Sequence, residues 1–187
     1  MPEKESNVRW HRFLQGDNDA YCWLYNEYVQ VLFRYGMRFT SDSELIKDCI
    51  QELFTTIYKN RKRLGTPPAN VKVYLFVSLR NNLLHAIEKQ SRHESIEQGT
   101  DSFLLEPTVE EQFIDNESQR NRQNTVKKIL FALTPRQKEI IYYRYLQELD
   151  LEDICSLMQL NYQSAQNLLQ RAIKKIRKHF TPDIWNE

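Results

Sequence analysis

In the stretch NYQSAQNLLQRAIKKIRK, Asn161 to Lys178, hydrogen-bonding side chains come first and cations last, with no acidic residue among them. Tyr162, Gln163, Ser164, Gln166, Asn167 and Gln170 carry hydroxyls and amides; Arg171, Lys174, Lys175, Arg177 and Lys178 carry the charge. Amides and hydroxyls can exchange hydrogen bonds with base edges, and Gln or Asn can pair bidentately with adenine. Lys and Arg suit phosphates, which fix register without reading sequence. The order is that of a surface that reads at one end and grips at the other. The plain alternative is a solvated helix face, whose last-turn cations favour the helix dipole by ~0.3–1 kcal/mol each.

The elements that would position these residues follow from periodicity. Ala165, Leu168, Leu169, Ala172, Ile173 and Ile176 repeat at helical spacing and predict an apolar face opposite the polar one. Upstream, LTPRQKEIIYYRYL opens with Thr134 at an N-cap, Pro135 at N1 and Gln137 at N3, a strong helix start. Asp150 caps LEDICSLM, with Asp153 at N3, and Asn161 caps the last helix. Helices of roughly 12, 8 and 18 residues with very short turns have helix-turn-helix proportions, in which the second helix of the pair enters the major groove. Gln159 or Leu160 stands where a left-handed residue, usually Gly, would be easiest; a non-Gly residue there costs on the order of 1 kcal/mol, so a slightly different turn is also open. A further helix is predicted from about Glu117 to Ala132.

The first half is helical by the same test. Ala20, Trp23, Leu24, Tyr28, Val31, Leu32 and Tyr35 form one stripe, capped by Asp17 or Asn18. A second helix starts at Ser41 or Ser43 and carries Leu45, Ile46, Cys49, Ile50, Leu53, Phe54, Ile57 and Tyr58. Gly65-Thr66-Pro67-Pro68 breaks it. A third runs from about Asn70 to Lys89, apolar around much of its girth and so central to its bundle. Between about Gln90 and Asn116 the periodicity fades into Gly, Pro, Ser and acids. Phe103, Leu104 and Leu105 form an apolar knot there, either docked on a neighbouring domain or exposed. A linker of this length implies that the halves can move relative to one another.

Composition bounds the rest. The 187 residues are 41% hydrophobic and 12% aromatic, enough for one domain or two small ones, and four Gly and six Pro favour an all-helical chain. The formal net charge of +1 hides a net +3 over residues 1–90, −7 over 91–119 and +5 over 120–187. Two basic blocks around an acidic middle suggest a polyanionic partner. The start MPEKESNVRW has no apolar signal-peptide core, and no apolar run approaches the ~20 residues that span a bilayer. Cys22, Cys49 and Cys155 are far apart and fit buried or semi-buried thiols in a reducing cytoplasm. His11, His85, His93 and His179 are scattered, and there is neither a Gly-rich phosphate loop nor a G-x-S-x-G elbow. The chain is therefore not expected to be an enzyme, and no catalytic residue, metal or cofactor is expected.

Residues from Leu133 to Lys178 resemble the promoter-binding C-terminal domain of the extracytoplasmic-function sigma factors of bacterial RNA polymerase. Independently, GDNDAYCWLYNEYVQVLFRYGMRFT, DCIQELFTTIYKN and VYLFVSLRNNLLHAIEK resemble their N-terminal domain, with Asp48, Gln51, Glu52 and Phe54 on its D-x-x-Q-E-x-F pattern. The resemblance implies an all-α fold of two helical domains, residues 1–90 and 117–187, joined by an acidic linker over 91–116. It implies that Asp48, Gln51 and Glu52 meet a coiled coil of the polymerase's largest subunit, with Phe54 in the core. The loop Arg63 to Asn70 would cradle a base flipped from the non-template strand of the minus-10 element. Lys59, Arg61, Lys62, Arg63, Gly65, Thr66, Asn70, Tyr74, Arg80 and Asn81 would serve that element, with Tyr74 either a stacking wedge or part of the core. Tyr162, Gln163, Ser164, Gln166, Asn167, Gln170, Arg171, Lys174, Arg177 and Lys178 would meet the minus-35 element. The chain departs from the family at His85 and Glu88, where Asp and then Arg are usual, and in the two prolines of the loop.

The implied partners are core RNA polymerase and promoter DNA, as duplex and as melted non-template strand, with an anti-sigma factor left open and no membrane insertion. Two other readings also stand on the residues. A helix-turn-helix regulator would bind duplex DNA tightly on its own, and a protein-binding adaptor would show no salt-dependent DNA affinity.

Overall fold

A computed structural model describes residues 2–65, 68–94, 103–105 and 117–179. Thr66, Pro67 and most of the linker lie outside the described residues. All regular structure among the described residues is helical, and the chain divides into two compact units, Met1–Thr100 and Asp101–Glu187.

The first unit begins with a helix that the periodicity did not disclose, α1 (Pro2–Leu14). Two residues past its end comes Gly16, whose φ of +98° suits a residue without Cβ. Asp17 then caps α2 (Asn18–Gly36), accepting from the Ala20 N–H at 3.0 Å, and its carboxylate also meets the Arg12 guanidinium at 2.7 Å. The α3 helix (Ser43–Asn60) is capped by Asp42, the residue between the two serines considered, through the N–H groups of Glu44 and Leu45. A 3₁₀ turn, Arg61–Arg63, leads into the loop, and α4 runs from Val71 to Glu94, five residues beyond the expected end.

The α4 helix packs against α1, α2 and α3, which is the central place its apolar girth implied. Its Phe76 stacks on Tyr35 of α2, ring centroids 4.2 Å apart and planes 7° from parallel. Leu32 of α2, Ile46 of α3, and Leu75, Leu79 and Leu83 of α4 are fully buried as well. On α1, Trp10 and Phe13 are buried one turn apart, and Ser6 shares a 2.7 Å hydrogen bond with the Tyr28 hydroxyl. Of the cysteines, Cys49 is buried and Cys155 half-buried, but Cys22 is exposed, since it falls on the outer face of α2.

Helices α2 and α3 meet at Gly36, where an added Cβ would stand 2.6 Å from Ile46 Cγ2. The Ile46 side chain is β-branched and fully buried, so it cannot swing away. Gly36→Ala is therefore expected to destabilise the first unit by about 1–3 kcal/mol, the usual cost of overpacking. Chemical denaturation of the full chain checks this; an unchanged or raised midpoint would mean that the two helices slide apart cheaply.

The second unit follows the expected plan closely. Helix α5 spans Glu117–Ala132 and α6 spans Pro135–Ile141, the latter with a reciprocal Thr134–Gln137 capping box. A single π turn, Tyr142–Leu146, completes its roughly 12 residues. Tyr143 is fully buried in that turn and donates its hydroxyl proton to buried Glu139 at 3.1 Å. Arg144 donates forward to the Leu149 carbonyl at 2.9 Å, across the bend where Glu148 takes a φ of 57°. Helix α7 (Leu151–Met158) is capped by Asp150 and α8 (Tyr162–His179) by Asn161, each through the N–H three residues on. Gln159 itself adopts the left-handed conformation at the turn, φ 52° and ψ 48°.

The apolar knot docks within this unit. Phe103 and Leu105 are buried, with the Phe103 ring 5.4 Å from Tyr142 and 6.1 Å from Tyr143, while Leu104 between them is exposed.

Candidate nucleic-acid interface

Burial of Ala165 and Ala172 seats α8 against its neighbours, and packing on α5, α6 and α7 fixes which face turns outward. Leu168, Leu169, Ile173 and Ile176 of the same apolar stripe are only half-buried, so this face is less fully covered than the pattern implied. Tyr162, Gln163, Asn167, Gln170, Arg171, Lys174, Arg177 and Lys178 are exposed, and Ser164 and Gln166 are half-buried. The polar residues are tied to one another: Gln163 Nε2 donates to Asn167 Oδ1 at 3.2 Å, and Arg171 Nε to the Asn167 carbonyl at 3.3 Å. Such ties restrict rotamers before any ligand arrives. Toward the C-terminal end, Gln170, Ile173, Lys174, Arg177 and Lys178 line a groove of about 560 Å³ with cationic walls.

One cation of the stretch has another task. Lys175 Nζ donates to the carbonyl of Ala132, the last residue of α5, at 3.3 Å. It satisfies a helix C-terminus, where a positive charge also complements the dipole. Arg171, Lys174, Arg177 and Lys178 are the cations of the stretch that stay exposed.

In the first unit, α3 separates two faces. Ile46, Cys49, Ile50, Leu53, Phe54 and Ile57 are buried, and Phe54 meets the rings of Tyr21 and Tyr25. Asp48, Gln51 and Glu52 lie on the outer side at i, i+3 and i+4, all exposed. Burial pushes the Cys49 thiol above its ordinary pKa, and the adjacent Glu52 and Asp48 carboxylates push the same way.

The basic run after α3 is not uniform. Lys59, Lys62 and Arg63 are exposed, but Arg61 stacks over the Tyr58 ring at 4.7 Å and donates to the Tyr58 carbonyl at 3.3 Å. Gly65 is exposed with a φ of +60°; Thr66 is outside the described residues. Asn70 caps α4, its side chain accepting from the Val73 N–H at 3.2 Å. Tyr74 is half-buried with its ring edge-on to Trp10 at 5.3 Å, which joins it to the bundle core on one side. Arg80 is half-buried and Asn81 exposed farther along α4.

The sequence reading missed Asn7 and Trp10 of α1, the first of which reaches this loop and the second the start of α4. Asn7 Nδ2 donates to the Ala69 carbonyl at 3.2 Å, and Trp10 is the ring against Tyr74. The available signal was the Trp10/Phe13 pair one turn apart, ending in Gly16. Among the described residues no His, Cys, Asp and Glu cluster could hold a metal ion, and no helix is long and apolar enough to cross a membrane.

Comparison with known proteins places both halves. Residues 24–93 match the family model for Sigma-70 region 2, and residues 124–176 match that for Sigma-70, region 4. The chain is 21% identical over 160 residues to the RNA polymerase sigma factor YlaC of Bacillus subtilis, covering 84% of this chain and 90% of YlaC. It is likewise 21% identical over 168 residues to the ECF RNA polymerase sigma factor SigM of the same species, covering 88% and 97%. Among solved structures, the sigma factor RpoE bound to the anti-sigma factor NepR from Bartonella quintana aligns with a TM-score of 0.54 at 18% identity, covering 83% of this chain and 92% of RpoE. That likeness is one of fold.

Proposed function

The chain belongs to the extracytoplasmic-function sigma factors, which direct RNA polymerase to promoters at transcription initiation, and on that premise we propose how its residues divide the work. Asp48, Gln51 and Glu52 on α3 meet the core polymerase. The first unit takes the minus-10 element: Lys59, Lys62 and Arg63 attract the backbone, and the loop through Gly65, Thr66 and Asn70 receives an unstacked non-template base. Tyr74, Arg80 and Asn81 continue that surface along α4. Arg61, held on Tyr58, adds its charge to the same basic run. Flipping a base costs a few kcal/mol, which the loop and its cations must offset, and capturing the flipped base biases the duplex toward the open state.

The second unit takes the minus-35 element as duplex. Tyr162, Gln163, Ser164, Gln166, Asn167 and Gln170 face base edges, and Arg171, Lys174, Arg177 and Lys178 face phosphates. The mechanism is one of binding and positioning, without a catalytic step of the chain's own, in the cytoplasm where the polymerase works. The acidic linker suits a basic channel in the polymerase and is repelled by DNA. By analogy with RpoE and NepR, an anti-sigma protein covering one of these faces is a further proposed partner.

The observation that carries this reading is the outward face of α8, where hydrogen-bonding groups and cations are exposed in that order. Substitution separates the two roles. Asn167→Ala is expected to weaken binding of the preferred minus-35 duplex by about 1–3 kcal/mol and to relax preference at one position. The pair Lys174→Ala and Arg177→Ala is expected to weaken all sequences alike, lowering the salt slope by about one per charge removed. Fluorescence anisotropy of holoenzyme on duplexes over a range of salt concentrations reads both. Equal effects of the two sets on preference and on salt dependence would refute the division.

A further inference from the structure

We propose that Gln163 is a positioning residue: it turns the Asn167 amide so that Nδ2 rather than Oδ1 faces the groove, which makes guanine the base that Asn167 reads. The proposal rests on the reading of α8 as the minus-35 face given above, and names the base-edge chemistry of that site. Both residues are exposed near the start of α8, four apart and so neighbours on one face of the helix. Gln163 Nε2 donates to Asn167 Oδ1 at 3.2 Å. One turn further on, Arg171 Nε donates to the Asn167 backbone carbonyl at 3.3 Å. Gln163, Asn167 and Arg171 thus form a row at four-residue spacing, with Asn167 tied on both sides.

An amide that reads adenine needs both of its ends, the oxygen to accept from N6 and the amino group to donate to N7. In this row the Asn167 oxygen is already engaged, and the amino group is what remains for a base edge. That group has two donors and no acceptor. Guanine offers it two acceptors side by side, N7 and O6; thymine offers O4 alone, adenine one acceptor beside a donor, and cytosine only a donor. Guanine should therefore rank above adenine at this base pair, with cytosine lowest. On the free helix an exposed pair of this kind is weak, since water competes for every partner. In the groove that water is displaced, and an Asn167 oxygen left without a donor would be costly. The tie and the base contact therefore strengthen one another. Periodicity gives the two amides the same task; the hydrogen bond separates them into a reader and the residue that sets its direction.

The test combines each protein with purified bacterial core RNA polymerase and lets the holoenzyme select from a pool of duplexes randomised over the minus-35 element. The position read by Asn167 is the one whose enrichment Asn167→Ala flattens. Wild type is expected to enrich guanine over adenine there about tenfold, toward the lower end of what one good base-edge pairing gives. Gln163→Ala frees the amide to turn, and is expected to remove most of that preference. Gln163→Glu sets an acceptor-only group beside Asn167, so the Asn167 amino group turns inward to meet it. Its preference is expected to pass from guanine to adenine or cytosine, whose edges present an amino donor. Total affinity falls for the Glu variant in any case, because phosphates repel a carboxylate, so the ratio between bases is the readout. An unchanged ratio in Gln163→Ala, or a wild type that prefers adenine at that position, overturns the proposal. If Asn167→Ala flattens no position although the holoenzyme forms, the reading of α8 as the minus-35 face fails instead.

Discussion

Reversing two carboxylates on α3, Asp48→Arg with Glu52→Arg, is expected to abolish stable association with bacterial core RNA polymerase while the protein remains folded. Both residues are exposed on the face opposite Cys49, Ile50, Leu53 and Phe54, so the core does not feel the change. Surface substitutions of this kind usually alter stability by within about 0.5 kcal/mol. At an interface the arithmetic differs. Removing one partner of a desolvated charge pair costs about 2–5 kcal/mol, and reversal adds repulsion between like charges. Two reversals one turn apart should therefore raise the dissociation constant by at least about a hundredfold. Gel filtration with core polymerase, alongside a thermal melt, separates the two effects. A complex that survives with normal stoichiometry would move the polymerase-binding surface away from α3.

Trp10→Ala is expected to be the most damaging single substitution for stability, at about 3–5 kcal/mol for a fully buried large aromatic side chain. The Trp10 side chain is 1% exposed and packs edge-on to Phe13 and to Tyr74, with centroids 5.8 and 5.3 Å away. Its loss would open a cavity between α1 and α4, beside the rings of Phe13 and Tyr74. The effect should be confined to the first unit, so salt-dependent binding of duplex DNA through α8 should persist. Denaturant titration followed by far-ultraviolet circular dichroism measures the loss; a cost under about 1 kcal/mol would mean that α1 is dispensable to the bundle.

That α1 was invisible beforehand has a physical cause. Its sequence, PEKESNVRWHRFL, holds too few apolar residues for a stripe, and one of its buried positions is Ser6, which enters the core only because Tyr28 supplies a hydrogen bond. The partner lies on another helix, so periodicity could not reveal the match. The local devices were different. The Thr134–Gln137 capping box and the Asp150 and Asn161 caps each involve residues three apart, and all form where the sequence placed them. Likewise the stripe on α2 and the two faces of α3 needed no knowledge of the neighbours.

The turn before α8 shows where a local rule was outweighed. Lacking Gly, it could have changed its geometry; instead Gln159 takes the left-handed conformation, because capping of both flanking helices holds the turn short. The π turn at Tyr142–Leu146 was not legible, since it exists to place Tyr143 against Glu139 and to seat Phe103. Among the site residues, exposure followed from periodicity, but allegiance did not. Lys175 reads as one more cation until the end of α5 is seen beside it, and nothing in the sequence shows that Arg61 stacks on the Tyr58 ring.

The most direct test of the central claim is transcription in vitro from fragmented bacterial genomic DNA, using core polymerase with and without the purified protein and sequencing the 5′ ends of the transcripts. The protein should create a small set of new start sites sharing two upstream elements, and Asp48→Arg with Glu52→Arg should erase them. If correctly folded protein yields no start sites beyond those of core polymerase alone, it is not acting as a sigma factor.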